Sequence, residues 1–180
     1  MAKNEKEGIF GSSEIGLWLD GYEDMFSSFD PRPLEQRALS RDFLDELKRA
    51  SNDKEKPVDL SLLMPKRKRK LKEEAVIKKR LKSHFQKHYE LVKGEKYNIL
   101  KNGSIFFIAG LILMFVATYV LFIYRESSLL ASFMVVLLEP GGWFLFWEGL
   151  DQIIFGTKTQ KVDLEFYGKM SSCSVSFRSY

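Results

Sequence analysis

One carboxylate lies inside an apolar part of the chain, where a charged group is costly. Glu139 follows ten largely apolar residues (LLASFMVVLL) and precedes Pro140, Gly141 and Gly142, after which the apolar string WFLFW resumes. Proline lacks an amide hydrogen and glycine lowers stiffness, so we expect a kink or a short unwound turn here. An ionisable residue inside a membrane span must be neutralised, paired or hydrated. These four residues are therefore a candidate intramembrane functional site.

Two interpretations of Glu139 remain open. The carboxylate lies at the cytoplasmic headgroup level beside an aromatic belt of Trp143 and Trp147, or it is a buried, paired or pore-lining group. Glu148 and Asp151, three residues apart on one helical face, could extend the acidic character toward the cytoplasm. Such carboxylates could bind cations. They could equally be ordinary solvated side chains at the point where the helix leaves the membrane. We treat the pair as a candidate acidic interface site.

A dense basic cluster precedes the first long apolar stretch. It comprises Lys66, Arg67, Lys68, Arg69, Lys70 and Lys72. Three interpretations apply: a solvated face or pairing with the acidic N-terminal segment, binding of nucleic acid or another polyanion, or contact with anionic lipid. Lipid is the least favoured, because a straight helix would hold the cluster about 50 Å from Ser104, far beyond a Debye length of about 8 Å.

Enzymatic and metal-binding chemistry find little support in the sequence. His84 and His88 have the i, i+4 spacing of helical metal ligands, but HFQKH lacks the glutamate of HExxH and lies among lysines that repel a cation. A single cysteine, Cys173, excludes an internal disulfide framework and a cysteine-rich metal site. The sequence also contains no GxxxxGK or GxSxG motif. We therefore expect no enzyme activity, no cofactor and no metal.

The overall composition hides a membrane part. The 180 residues are 45% hydrophobic and 29% charged, which is ordinary for a soluble protein. Residues 104–124 nevertheless contain no charged side chain, and a second apolar stretch follows after only two charged residues. A helix of this length spans about 30 Å, enough to cross a bilayer core. Gly110 and Ala117 are small spots for helix contact, without a GxxxG motif. We predict a two-helix transmembrane hairpin over residues 104–149.

Charge segregation predicts the orientation of this hairpin. Residues 1–57 carry 9 basic and 13 acidic side chains, residues 58–103 carry 14 and 5, and residues 104–180 carry 5 and 6, giving net charges of −4, +9 and −1. The basic middle segment leads into the first span, whereas the connection between the spans offers only Arg125. By the positive-inside rule both termini are cytoplasmic. The first sixteen residues lack the apolar core of a signal peptide. We expect a multi-pass protein of the inner (plasma) membrane.

The N-terminal third is predicted to be a helical, acidic head. After a disordered segment of residues 1–16, residues 17–29 have helical apolar spacing and acidic residues elsewhere, which favours docking on protein rather than on anionic lipid. Residues 39–50 form a second amphipathic segment within the head, which extends over residues 17–57. The candidate docking face consists of Trp18, Tyr22, Met25, Phe26 and Phe29.

Two short strands and a long basic helix are predicted to complete the cytoplasmic part. Residues 58–62 and 173–177 alternate apolar and polar side chains, and two strands alone are marginal in water, which favours an oligomer or packing under a helix. Within residues 58–103, the first strand is followed by a basic helical stalk that could continue into the first span. Residues 150–180 form a cytoplasmic C-terminal segment with one or two helical turns and the second strand.

The chain also resembles a known type of protein. The strings WLDGYEDMFSSFDPRP and ALSRDFLDELKRA, together with VLLEPGGWFLFWEGLD, are similar to a group of uncharacterised small two-span prokaryotic membrane proteins. The resemblance covers most of residues 17–177. It implies a bacterial or archaeal inner membrane and carries no activity or ligand to any residue.

Together these patterns predict a mainly α membrane protein with a cytoplasmic α+β part. We expect a non-enzymatic, homo-oligomeric scaffold or membrane effector that is controlled through its cytoplasmic part by a protein partner. A small ion-conducting pore or transport subunit with Glu139 on the path is the alternative. A membrane-tethered binder of polyanions or nucleic acid is a second alternative. The lipid bilayer is a partner in each case.

Overall fold

Helices dominate the structure and a small sheet lies among them. The computed structural model describes residues 13–54, 57–124 and 128–180. Residues 1–12, which cover most of the predicted disordered segment, and the connection containing Arg125 lie outside the described residues. The helices are α1 (Arg41–Ser51), α2 (Leu71–Tyr124), α3 (Leu129–Asp151) and α4 (Thr157–Ser171), and the strands are β1 (Glu14–Trp18), β2 (Asp59–Met64) and β3 (Ser174–Ser179).

The contacts divide the chain into two compact units. Residues 1–90 and 164–180 form one, which we call the sheet unit, and residues 91–163 form the other, which we call the hairpin unit. Helix α2 begins in the first unit and ends in the second. The predicted continuation of the basic helix into the first apolar stretch is therefore confirmed, although the helix begins at Leu71. Lys66–Lys68 form a separate 3₁₀ turn after Pro65.

Three parallel strands make up the sheet, in the order β1-β2-β3. Ile15 lies beside Leu60, which lies beside Val175, and the next inward row is Leu17, Leu62 and Phe177. Parallel neighbours require long connections, and the helices of the chain provide them. The predicted strands near residues 58–62 and 173–177 are confirmed, each displaced by one or two residues. They pair with each other within one chain and under helices, and β1 is a third strand that the sequence analysis missed.

The predicted helix over residues 17–29 is wrong. Residues 14–18 form β1 and Tyr22–Met25 form one 3₁₀ turn. Tyr22, Met25 and Phe26 are buried in the core, so the five residues of the candidate docking face do not share an exposed surface. The apolar residues with helical spacing lie instead in a strand, a 3₁₀ turn and the loop after it, which bury Tyr22, Met25 and Phe26 and leave Trp18 and Phe29 exposed. Since β1 includes residues 14–16, the prediction of disorder through residue 16 is also wrong.

One face of the sheet is covered by helices. The apolar spacing predicted over residues 39–50 does form a helix, α1, with Phe43 and Leu47 buried. Leu47, Leu60, Ile77, Leu81 and Phe85 are all fully buried in one cluster. Burying each such side chain contributes about 1.5–3 kcal/mol relative to exposure. The acidic head and the basic stalk therefore meet through apolar side chains.

The second apolar helix is continuous where the sequence analysis expects an interruption. Helix α3 runs through Pro140, so the predicted unwound turn at residues 140–142 is wrong. Proline removes one amide donor, and the neighbouring turns keep the remaining helical bonds. Beyond α3, Gln152–Gly156 form a π-helical turn that leads into α4. Fifteen residues make α4 longer than the predicted one or two turns.

Candidate functional site

Small residues at intervals of seven bring the two helices of the hairpin unit close together. Gly103, Gly110 and Ala117 are buried on α2, and Gly142 and Gly149 are buried on α3. A Cβ atom on Gly149 would lie 2.4 Å from the amide nitrogen of Phe107. A Cβ atom on Gly110 would lie 2.5 Å from the amide nitrogen of Phe146. Backbones approach this closely only where side chains are absent, as in packed helix pairs in membranes.

This repeat was only partly visible in the sequence analysis. The sequence identifies Gly110 and Ala117 as small positions for helix contact, but they do not form a GxxxG motif. The signal that would have revealed the pairing is the same seven-residue interval in both helices, which continues beyond α3 to Gly156 at the end of the π-helical turn. A Cβ atom there would lie 3.0 Å from Ile99.

The close helix pair fixes the level of Glu139 along the hairpin. Glu139 lines a small cavity of about 160 Å³, together with Met114, Ala117, Thr118, Leu121, Val135 and Trp143. Ala117 lies 12 residues after Ile105 and 7 before Tyr124, so Glu139 is about 18 Å from one end of the apolar stretch and about 10 Å from the other. Glu139 therefore lies well inside the apolar stretch of the helix pair rather than at either end of it.

Glu139 is nevertheless on the outside of the hairpin. Its side chain is exposed, and among the described residues no hydrogen bond or ion pair reaches it. The nearby hydroxyl of Thr118 donates to the carbonyl of Met114 at 2.9 Å and keeps its acceptor lone pairs. Pro140 is exposed beside Glu139, Gly141 has open space around its Cα, and Gly142 packs on α2. The four predicted site residues thus divide between the outer surface and the helix contact.

Glu148 and Asp151 share a second cavity of the hairpin unit. The cavity is about 290 Å³ and has the aromatic side chains of Phe144, Trp147 and Phe155 in its wall. Glu148 accepts a hydrogen bond from the amide of Gln152 at 2.9 Å. The predicted placement of both carboxylates on one face is confirmed. They line a cavity different from that of Glu139, so the three carboxylates do not share one site.

The basic cluster is divided between paired and free side chains. Arg69 donates to Glu74 at 2.8 Å and Lys70 donates to Glu73 at 2.9 Å, and both glutamates lie in the first turn of α2. Lys68 donates to the backbone carbonyl of Asp20 at 2.8 Å. Arg69 and Lys70 therefore pair with glutamates of their own segment, and the three interpretations of the whole cluster stay predictions. Lys66, Arg67 and Lys72 are exposed and have no ion pair among the described residues.

A buried polar group anchors the start of α2. Glu74 is 4% exposed and accepts from both Arg69 and the hydroxyl of Tyr22, the latter at 3.3 Å. The hydrogen bond from Arg69 lowers the pKa of Glu74 below its usual value, against the effect of burial. Burial raises the pKa of Tyr22. The Tyr22 oxygen also accepts from the backbone amide of Lys70 at 2.8 Å. This cluster joins the turn after β1 to α2.

The two histidines form a tightly packed pair. Their rings are 4.2 Å apart, and His88 stacks on Tyr167 at 5.2 Å. Burial, followed by the charges of His88, Arg80 and Lys87, lowers the pKa of His84 to about 4. Burial also lowers the pKa of His88. Nε2 of His84 is buried without a hydrogen-bond partner among the described residues. Within those residues no group of three or more His, Cys, Asp or Glu side chains could hold a metal ion.

One aromatic contact was missed entirely. Trp18 and Tyr180 pack edge to face with ring centroids 4.5 Å apart, although 162 residues separate them in sequence. Each of the two residues is about half exposed, at 49% and 52%. Phe29, the other exposed member of the candidate docking face, is 95% exposed. Tyr180 follows β3 directly, so only the parallel pairing of three strands could have revealed this contact.

Comparison with known proteins identifies no relative. No family model matches the chain, and no curated protein or solved structure is significantly similar to it. The resemblance to small two-span prokaryotic membrane proteins stays a prediction.

Proposed function

We propose that this chain is a non-enzymatic integral membrane protein, with its hairpin unit in the inner membrane and its sheet unit in the cytoplasm. Two of its helices are long and apolar enough to cross a membrane, by length and composition. Only 11% and 6% of the residues in their most apolar stretches are buried. The core helix of a soluble protein would be mostly buried, so these exposed apolar surfaces support lipid contact.

The hairpin units of several copies associate in this proposal, and the exposed Glu139 is the observation that carries it. A carboxylate at this level of an apolar helix is strongly unfavourable against lipid tails. A neighbouring copy replaces those tails with protein and supplies hydroxyl groups such as that of Thr118. Polar contacts between membrane helices contribute about 0.6–2 kcal/mol each. The assembly is a scaffold or membrane effector that the cytoplasmic sheet unit controls through a protein partner.

The oligomeric state of the purified chain in lipid nanodiscs tests this function. We expect native mass spectrometry to show an oligomer for the unmodified chain and for Glu139→Gln, which keeps a polar side chain. Glu139→Leu is expected to shift the population toward the monomer by about 3- to 30-fold. Glu148→Leu, which removes a carboxylate from the other cavity, is the matched control. A monomeric unmodified chain at every protein-to-lipid ratio contradicts the proposal.

An ion-conducting pore is the second candidate, and the same carboxylate favours it. If Glu139 faces a shared lumen rather than a protein contact, it would attract cations along the path. Cation flux into liposomes that contain the oligomer distinguishes the two. If the oligomer conducts cations and Glu139→Gln reduces that flux, the pore is supported and the scaffold is contradicted. If the oligomer conducts no cations, the scaffold is supported and the pore is contradicted.

A further inference from the structure

The carboxyl ends of the three strands bring aromatic and cationic side chains to one edge of the sheet. β1 ends at Trp18, β2 at Met64 and β3 at Ser179, and parallel strands end at the same edge. The backbone amide of Tyr180 donates to the carbonyl of Met64 at 3.2 Å, which holds that residue at the edge. Open sheets with parallel strands bind their ligands outside these carboxyl ends.

Two half-exposed rings form a platform at this edge. Trp18 and Tyr180 meet at an interplanar angle of 63°, so each ring supports the other and keeps part of its own surface open to solvent. Aromatic rings presented in this way on a sheet are the surfaces on which unpaired bases stack.

Exposed cations follow the carboxyl end of β2. Lys66 and Arg67 follow β2 after a single proline, both are exposed, and neither has an ion pair among the described residues. Lys68 donates to the carbonyl of Asp20, two residues beyond Trp18, which ties the basic turn to the end of β1. Lys72 is exposed in the first turn of α2. Such side chains neutralise phosphates without reading sequence.

We propose that this edge of the sheet binds single-stranded nucleic acid, with bases stacked on Trp18 and Tyr180 and phosphates at Lys66, Arg67 and Lys72. An anionic membrane surface is less favoured, because its aromatic anchors must project into the lipid and these rings are half-buried against each other. The inference goes beyond the proposed membrane assembly and does not depend on it, because every residue involved lies in the sheet unit.

Trp18 fluorescence provides a direct measurement in the full chain. Trp143→Phe and Trp147→Phe leave Trp18 as the only one of the three tryptophans. This protein, in nanodiscs of uncharged phosphatidylcholine, is titrated with oligo(dT) of about 12 nucleotides, within the usual site size of single-strand binders. We expect quenching of Trp18 and an affinity that falls as salt rises. Absence of quenching at low salt overturns the inference.

Variants separate stacking from charge. Tyr180→Ala is expected to weaken binding by about 5- to 150-fold, the loss of one stacked base. Tyr180→Leu keeps apolar bulk in case the smaller residue unfolds the edge. Lys66→Ser with Arg67→Ser is expected to lower the slope of log affinity against log salt by about 1.4, from two lost phosphate contacts.

Matched controls lie elsewhere in the sheet unit. Phe29→Ala removes an exposed aromatic side chain, and Lys82→Ser with Lys87→Ser removes two exposed lysines of α2. Both should leave binding within about 2-fold, given the roughly 1–3 kcal/mol that a stacked base is worth. Equal losses in control and test variants would show that only net charge matters and overturn the site. A Trp18 response to phosphatidylserine vesicles but not to oligo(dT) overturns it in favour of a membrane surface.

Discussion

Gly110 and Gly142 lie against each other at the contact of the two apolar helices. A Cβ atom on Gly110 would lie 2.7 Å from the carbonyl oxygen of Gly142, and one on Gly142 would lie 3.1 Å from the carbonyl oxygen of Gly110. Backbone atoms cannot move aside as flexible side chains can. Each glycine is therefore required at its position by the neighbouring backbone.

We predict that Gly110→Ala destabilises the hairpin by about 1–3 kcal/mol, the usual effect of overpacking a tight contact. Gly141→Ala is the matched control, because nothing lies within 4 Å of a Cβ atom at that neighbouring glycine. Thermal denaturation in detergent, followed by circular dichroism, gives the comparison. Equal melting temperatures for the two variants would contradict the close helix contact.

Glu74 is predicted to stabilise the sheet unit more than its neighbour Glu73. Glu74→Gln leaves the Arg69 guanidinium beside a neutral group in a buried place and is expected to cost about 1–3 kcal/mol. Glu73→Gln removes only an exposed pair with Lys70 and should change little. Urea unfolding followed by the fluorescence of Trp18, as the only tryptophan, measures both. A larger loss of unfolding free energy in Glu73→Gln than in Glu74→Gln would contradict this prediction.

Acid is expected to weaken the same cluster. Because the pKa of Glu74 is lowered in the folded state, its stabilisation is present above the unfolded value of 4.5 and is lost as the pH falls through the folded value. Repeating the urea titration between pH 6 and pH 3 with Glu74→Gln should show a shallower acid dependence than the unmodified chain. If the free energy of unfolding depends on pH equally in Glu74→Gln and in the unmodified chain, the pKa of Glu74 does not differ between the folded and unfolded states.

The lowered pKa of His84 predicts a second pH dependence of folding stability, at higher pH than that of Glu74. Its folded pKa of about 4 lies below the usual 6.5, so the folded state binds fewer protons and stability declines as the pH falls from about 6.5 toward 4. His84→Leu, which cannot protonate, should remove most of this decline, whereas His88→Gln should remove a smaller part. A decline that persists in His84→Leu would place its origin elsewhere.

The proposed orientation in the membrane can be tested by labelling. In a Cys173→Ser background, we expect Ser127→Cys, in the connection between the apolar helices, to react with an impermeant maleimide from outside the cell. Asn52→Cys, at an exposed position of the sheet unit, should react only after permeabilisation. Cys173 is the only cysteine of the sequence, so after its replacement the label reports on the introduced thiol alone. The opposite labelling pattern would invert the proposed orientation.

Regular periodicity made much of the helical structure predictable. Residues 39–50 repeat apolar side chains at helical spacing and form α1, and the long basic pattern forms the first part of α2. Both elements are determined by local sequence. The failure at residues 17–29 has the opposite origin, because β1 pairs with β2, in which Asp59 lies 45 residues after its partner Glu14. A five-residue strand carries too little local pattern to compete with an accidental helical spacing.

The candidate sites also have features that the local sequence predicts and features that depend on long-range packing. Glu139 could be identified from composition, since a carboxylate between apolar residues is visible in any window. Its level could not, because that depends on how the glycines of α3 align with those of α2. The edge formed by Trp18 and Tyr180 was hidden for a related reason: the two residues become neighbours only through the order of three strands.

The position of β3 in the chain has a consequence for synthesis of the protein. β3 pairs only with β2, yet the ribosome translates it after both apolar helices, 115 residues beyond its partner in the first paired row. The sheet therefore stays two-stranded, with the sites for Val175 and Phe177 unfilled, until the hairpin has been translated. Domains ordinarily fold as their residues emerge. Completion of the sheet unit must therefore wait until the hairpin unit has been translated. In the proposed membrane protein, a complete sheet thus indicates that the hairpin has already had its opportunity to insert.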